Sequence, residues 1–169
     1  MIFYPERKIF LEFTVFYKFI PKERIHLFDG LDKDIPRQCQ TMEDWINSRS
    51  GIGFALLGVG MNGHVGFNEP DIDNSEMCFS VPLADSTKLV SVKYFKKELP
   101  VETGVTIGLS ALLKARNVLL MACGELKAPI IYKTVTGPAS LNVPASMFKN
   151  HQAINVMLDK EAAKLIALK

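Results

Sequence analysis

The stretch Phe54-Ala55-Leu56-Leu57-Gly58-Val59-Gly60-Met61-Asn62-Gly63-His64-Val65-Gly66-Phe67-Asn68-Glu69-Pro70 decides how this chain is read. Residues 54–59 are a continuous apolar run bounded by glycines, the pattern of a strand buried on both faces of a parallel sheet. The residues that follow gather glycines, a histidine and a carboxylate into one loop. In an open parallel sheet, ligands bind beyond the carboxyl ends of the strands, so this loop stands where chemistry is expected.

Working outward, two more apolar runs read as buried strands, residues 118–122 and 153–158. Residues 25–28 closed by Asp29-Gly30, residues 79–83 and residues 104–109 read as shorter strands. Between them lie helical patterns. Ile9, Phe13, Phe16 and Ile20 share one helical face that ends at Pro21, and Ile35, Cys39, Met42, Trp45 and Ile46 share another. Asp85 is placed to cap a helix towards Lys97, Ser110 to cap a short helix, and Asp159 to cap a last one through Leu168. Strands alternating with helices predict an α/β fold, Rossmann-like, with a largely parallel sheet flanked by helices. No repeat, low-complexity segment or linker interrupts the chain, so residues 1–169 read as a single domain.

A formal net charge of +2 leaves no basic footprint for nucleic acid. The apolar stretch over residues 9–20 is too short and too polar to span a membrane, and no signal-peptide pattern precedes it. Three cysteines at unrelated spacings argue against a disulfide framework or a zinc site and for a reducing compartment. Cys123 closes an apolar run and reads as a small buried hydrophobe. The expected location is the cytoplasm.

Gly58, Gly60 and Gly63 match the G-x-G-x-x-G spacing of a dinucleotide site. That fingerprint needs a helix opening at the last glycine and an acidic residue about twenty positions on. Here Gly66 and Pro70 follow, and residues 78–83 hold no acid. A sugar-phosphate site fits better. Gly60 and Gly63 let the backbone approach a ligand closely. An imidazole such as that of His64 titrates near neutrality and can move a proton at a ring oxygen. Glu69 is near enough in sequence to orient it.

The whole string GVGMNGHVGFNEP resembles the signature of the glucosamine-6-phosphate deaminase/galactosamine-6-phosphate isomerase family, within the superfamily that also holds the 6-phosphogluconolactonases. The lactonases share the glycines and the histidine but not the trailing FNEP. The resemblance covers roughly residues 20–158. GVTIGLSALLKARNVLLMACGELKAPI is similar to the family's next strand, helix and strand, and VPASMFKNH to its last substrate-side segment.

The resemblance implies an isomerase/deaminase acting on a 2-amino-2-deoxyhexose 6-phosphate. The products would be a ketohexose 6-phosphate and ammonia, with no metal or organic cofactor. It assigns ring opening to His64 and partnership of that histidine to Glu69. Asn62 falls where many members carry aspartate. An amide can hydrogen-bond His64, yet it cannot stabilise an imidazolium by charge. Lys127, in GELKA, matches a lysine that contacts the substrate phosphate. Lys93 falls roughly where relatives place a phosphate-side arginine, and lysine would supply a point charge in place of a two-pronged grip.

Relatives begin with a strand and a Thr/Ser-Gly loop that cradles the phosphate, then a strand ending in the acid that moves the carbon-bound proton. Nothing in residues 1–28 resembles either, so the expectation is an N-terminally truncated member. Such a chain would be catalytically silent, or at most would bind sugar phosphate. A raw sheet edge and an opening rich in phenylalanine would favour self-association, with homo-oligomer formation left open. The partner is a small sugar phosphate, not nucleic acid or membrane.

Overall fold

The computed structural model describes residues 19–29, 32–73, 75–85, 88 and 102–166. Helix α1 (Ile35–Asn47) starts where Asp34 accepts the Arg37 amide with its side chain, with Pro36 in the first turn. Asp34 thereby satisfies one of the amides that a helix start leaves without a partner. Cys39, Met42 and Ile46 form the buried face, as their spacing predicts. Met42 and Ile46 pack with Phe28 and Cys78.

Strands β1 (Phe54–Gly58), β4 (Asn117–Ala122) and β5 (Ile154–Leu158) form one sheet in the order β1-β4-β5, both pairings parallel. Strands β2 (Cys78–Pro82) and β3 (Thr103–Ile107) pair separately and antiparallel. Helix α2 (Leu109–Leu112) follows β3, and α3 (Ala128–Thr136) follows β4. A 3-10 segment, Pro144–Asn150, leads to β5. The register places Ala55, Leu57, Val118 and Leu120 on one sheet face. Leu109, Leu112, Ile130, Ile131 and Phe148 cover that face in a single cluster. This is a mixed α/β, Rossmann-like arrangement, as the alternation of patterns predicts.

Several local expectations are corrected. The run over residues 54–59 is buried on one face only: Phe54 and Leu56 are 58% and 57% exposed. Strand β1 pairs with β4 along one edge and with no described strand along the other. A cavity of about 590 Å³ opens there, lined by residues that include Trp45, Arg49, Phe54, Leu56 and Arg116. Strand β5 is an exposed edge strand, not a buried one, with Val156 and Met157 at 45% and 55% exposure.

Residues 25–29 form no strand, and after Asp159 the chain makes successive turns in place of a helix. The Asp159 side chain still accepts the Ala162 amide, so the cap forms without the helix. Ser110 does not cap α2; it lies inside that helix and donates to the Glu76 carbonyl. Cys123 is exposed, whereas Cys39 and Cys78, unrelated in spacing, touch through their sulfurs. The helix expected over residues 9–20 and most of the one from Asp85 towards Lys97 lie outside the described residues.

Candidate functional site

The loop after β1 folds back on its strand. Val59 bridges to Val65, and Val65 to Asn68, while the Gly60 amide donates to the His64 carbonyl at 2.8 Å. The imidazole of His64 consequently lies over Gly60. A Cβ on Gly60 would meet the ring atoms Cε1, Nδ1 and Nε2 at 2.3, 2.4 and 2.4 Å. Gly63, at φ 90°, adopts a backbone conformation that suits glycine, and its carbonyl accepts the Ala145 amide. Both glycines serve as packing surfaces here, Gly60 for the histidine and Gly63 for Val143 and Ile130.

Three side chains form a hydrogen-bonded row. Asn62 Nδ2 donates to Glu69 Oε2 at 2.8 Å, and Asn62 Oδ1 faces His64 Nδ1 at 2.8 Å. His64 Nδ1 stands 3.5 Å from Glu69 Oε2. Glu69 is 3% exposed, and the His64 side chain 18%. An ionised Glu69 can only accept, so the amide nitrogen of Asn62 must face it and the amide oxygen must face the imidazole. With Glu69 ionised, Nδ1 carries the hydrogen in neutral His64 and Nε2 is the basic nitrogen. The row fixes the tautomer that accepts a proton at Nε2. Asn62 Oδ1 also receives the His64 amide at 3.2 Å, which ties the orientation of the row to the backbone turn.

Asn68 anchors this loop to the rest of the fold. It is 4% exposed; its Nδ2 donates to the carbonyls of Val65 and Ile107, each at 2.9 Å, and its Oδ1 accepts the Leu109 amide at 3.0 Å. Asn68 thereby does for α2 what Ser110 was expected to do. Thr106 Oγ1 accepts the Phe67 amide at 3.1 Å, a second tie to β3. Asn68 stands within the motif and carries no sign of this role in sequence. Thr106 lies 39 positions from its partner, and no local pattern reaches that far.

Lys127 ends the 3-10 turn Glu125–Lys127 after β4, and its Nζ donates to the Val59 carbonyl at 2.6 Å. It therefore sits at the same end of the sheet as Gly60. Burial pushes the Lys127 ammonium below the usual lysine range. Among the described residues, Val59 takes one of its three donors, and the other two can serve an anion. Lys93 lies outside the described residues. Among the described residues, no group of three His, Cys, Asp or Glu side chains is arranged to hold a metal ion, and no helix is long and apolar enough to cross a membrane. The cavity beside β1 is lined by neither His64, Glu69 nor Lys127, so it is separate from the row.

Residues 10–157 match the family described as glucosamine-6-phosphate isomerases/6-phosphogluconolactonase. The chain is 36% identical over 149 residues to a glucosamine-6-phosphate deaminase of Thermoanaerobacter sp. (strain X514), covering 87% of this chain and 58% of that protein. It is 37% identical over 155 residues to the deaminase of Clostridium acetobutylicum, covering 89% and 64%. Among solved structures, it is similar to a monomeric glucosamine-6-phosphate deaminase, with a TM-score of 0.76 and 32% identity over 81% of this chain and 57% of that one. A 6-phosphogluconolactonase from Trypanosoma cruzi, 17% identical with a TM-score of 0.62, shares the fold. The chain thus spans about three fifths of the length of the deaminases it matches.

Proposed function

Because the chain belongs to the glucosamine-6-phosphate isomerase/6-phosphogluconolactonase family, we propose that residues 54–70 and Lys127 form the ring-opening and phosphate-contacting part of an amino-sugar phosphate site. The reaction is that of a deaminase/isomerase: a 2-amino-2-deoxyhexose 6-phosphate becomes a ketohexose 6-phosphate and ammonia. Residues 1–169 are taken as one domain of this fold. The observation that carries the reading is the row Glu69–Asn62–His64, which leaves Nε2 as the proton acceptor.

In ring opening, Nε2 takes the proton of the anomeric hydroxyl. The bond from the anomeric carbon to the ring oxygen breaks, and the same proton is delivered to that oxygen, leaving an open-chain aldehyde. Glu69 supports the transient imidazolium through the amide and at 3.5 Å. Gly60 seats the His64 imidazole and Gly63 packs the loop on Val143 and Ile130, so that both shape the surface offered to the sugar, and Lys127, with Lys93 as a second candidate cation, holds the phosphate. The later proton transfer between neighbouring carbons is assigned to no described residue. Either configuration at the fourth carbon, gluco or galacto, is admitted.

Ring opening can be followed without the later steps, because it also interconverts the two anomers. Magnetisation-exchange NMR on glucosamine 6-phosphate and galactosamine 6-phosphate is expected to show faster anomer exchange with the chain present. His64→Ala should remove that acceleration while phosphate binding persists. Binding with unchanged anomer exchange would refute the role of the row. Hydrolysis of 6-phosphogluconolactone in place of either effect would move the chain to the lactonase side of the family.

A further inference from the structure

Cys39 and Cys78 come together although 39 residues separate them. Cys39 sits in the middle of α1 and Cys78 opens β2. They are 7% and 3% exposed, and their Sγ atoms stand 2.7 Å apart, the Cys78 thiol donating to Cys39. A disulfide bond is about 2.05 Å long, so bonding needs a movement of under an ångström. Phe28, Met42 and Ile46 pack around the pair.

We propose that Cys39 and Cys78 are a thiol pair that a hydroperoxide converts to an intramolecular disulfide, closing a covalent loop around β1 and residues 59–70. The Cys39 thiol first gives up its proton, and its sulfur attacks a peroxide oxygen. The O–O bond breaks, water leaves and a sulfenic acid remains. Cys78, deprotonated in turn, attacks that sulfur; the S–S bond forms, the S–O bond breaks and a second water leaves. Two thiols lose two electrons and two protons, and hydrogen peroxide is reduced to two waters.

Cys39 is the initiating sulfur because the Cys78 thiol donates to it and so favours its thiolate. Burial raises both thiols, and the Glu43 and Glu76 carboxylates push in the same direction. Raised thiols make the first step slow, so the test uses prolonged peroxide treatment.

The position gives the bond a consequence. Cys78 pairs with Ile107 across β2 and β3, and the Ile107 carbonyl accepts from both Asn68 and Thr106. Joining α1 to β2 at this rung staples the platform on which the candidate site rests. No cysteine takes part in the proposed ring opening, so the disulfide acts on the platform alone.

The experiment uses the full chain carrying Cys123→Ser, which removes the exposed thiol and leaves the buried pair intact. After hydrogen peroxide treatment, alkylation in denaturant is expected to find no free thiol where the reduced protein shows two. The mass should fall by two hydrogens, a peptide linking residues 39 and 78 should appear, and dithiothreitol should reverse all three. The oxidised form should unfold at a temperature higher on the order of several °C. Two thiols persisting under peroxide, oxygen added to either sulfur in place of a link, or disulfides only between chains would each overturn the proposal.

Discussion

Replacing Asn68 by alanine tests whether the loop stands on the platform that β3 and α2 provide. The Leu109 amide loses its acceptor outright, because Oδ1 is the partner the structure gives it at 3.0 Å. A buried donor left in that way costs about 1–3 kcal/mol. The other two partners lose less. The Val65 carbonyl still accepts the Asn68 amide, and the Ile107 carbonyl still accepts Thr106 Oγ1. Each lost side-chain bond there is worth about 0.5–1.5 kcal/mol. The sum is about 2–6 kcal/mol, a shift in Tm of roughly 4–24 °C for a chain of this size. Asn68→Asp sharpens the test. It keeps an acceptor for Leu109 but turns a carboxylate towards two carbonyl oxygens. Burial and the two facing carbonyl oxygens should raise that carboxyl group's folded-state pKa above its unfolded value, so its deficit should be full at neutral pH. The deficit shrinks as pH falls through the raised pKa, where the protonated group can donate to one carbonyl. Thermal unfolding by circular dichroism at pH 7 and pH 5, each against the parent, reads both effects. An alanine variant within about 2 °C of the parent, or an aspartate variant whose deficit is larger at pH 5, would refute the reasoning.

Gly60→Ala should displace the imidazole that now rests on Gly60, at a cost of about 1–3 kcal/mol, and reduce anomer exchange to the His64→Ala level; unchanged exchange would contradict the placement. Asn62→Asp sets a second carboxyl group beside Glu69 and next to His64, and should move the pH profile of anomer exchange upward by favouring the imidazolium; a downward shift would contradict the row. Lys127→Met should weaken inorganic phosphate binding several-fold, as titrated by calorimetry. In the parent, that affinity should fall as pH rises through a lysine pKa depressed by burial, at lower pH than an ordinary lysine would give. A bound anion should push the same pKa back up.

The loop that holds the hydrogen-bonded row was legible because its residues are contiguous. Gly60, Asn62, Gly63, His64 and Glu69 stand within ten positions, so a local motif contains the whole row. The three parallel strands were legible for the same reason, each being one apolar run. What sequence reading missed is non-local. Whether Phe54 and Leu56 are covered depends on what lies along the second edge of β1, and their hydrophobicity alone does not say. The cap on α2 comes from Asn68, 41 positions before Leu109, whereas the local pattern pointed to Ser110. Cys39 meets Cys78 because α1 packs on β2, a contact that no spacing rule reveals. Successive turns after Asp159 begin with the expected cap, so the local signal was correct and the continuation was not.

The central claim is that His64, held by Asn62 and Glu69, opens the ring of an amino-sugar phosphate within a deaminase/isomerase site. Its most direct measurement is ammonia release from glucosamine 6-phosphate and galactosamine 6-phosphate at millimolar concentration. The assay compares this chain with a fusion that places a relative's N-terminal segment ahead of it. Where the added segment provides a base for the carbon-bound proton, turnover should rise on the order of a hundred-fold, and His64→Ala in the fusion should abolish that turnover. A folded fusion whose turnover survives His64→Ala would contradict the account.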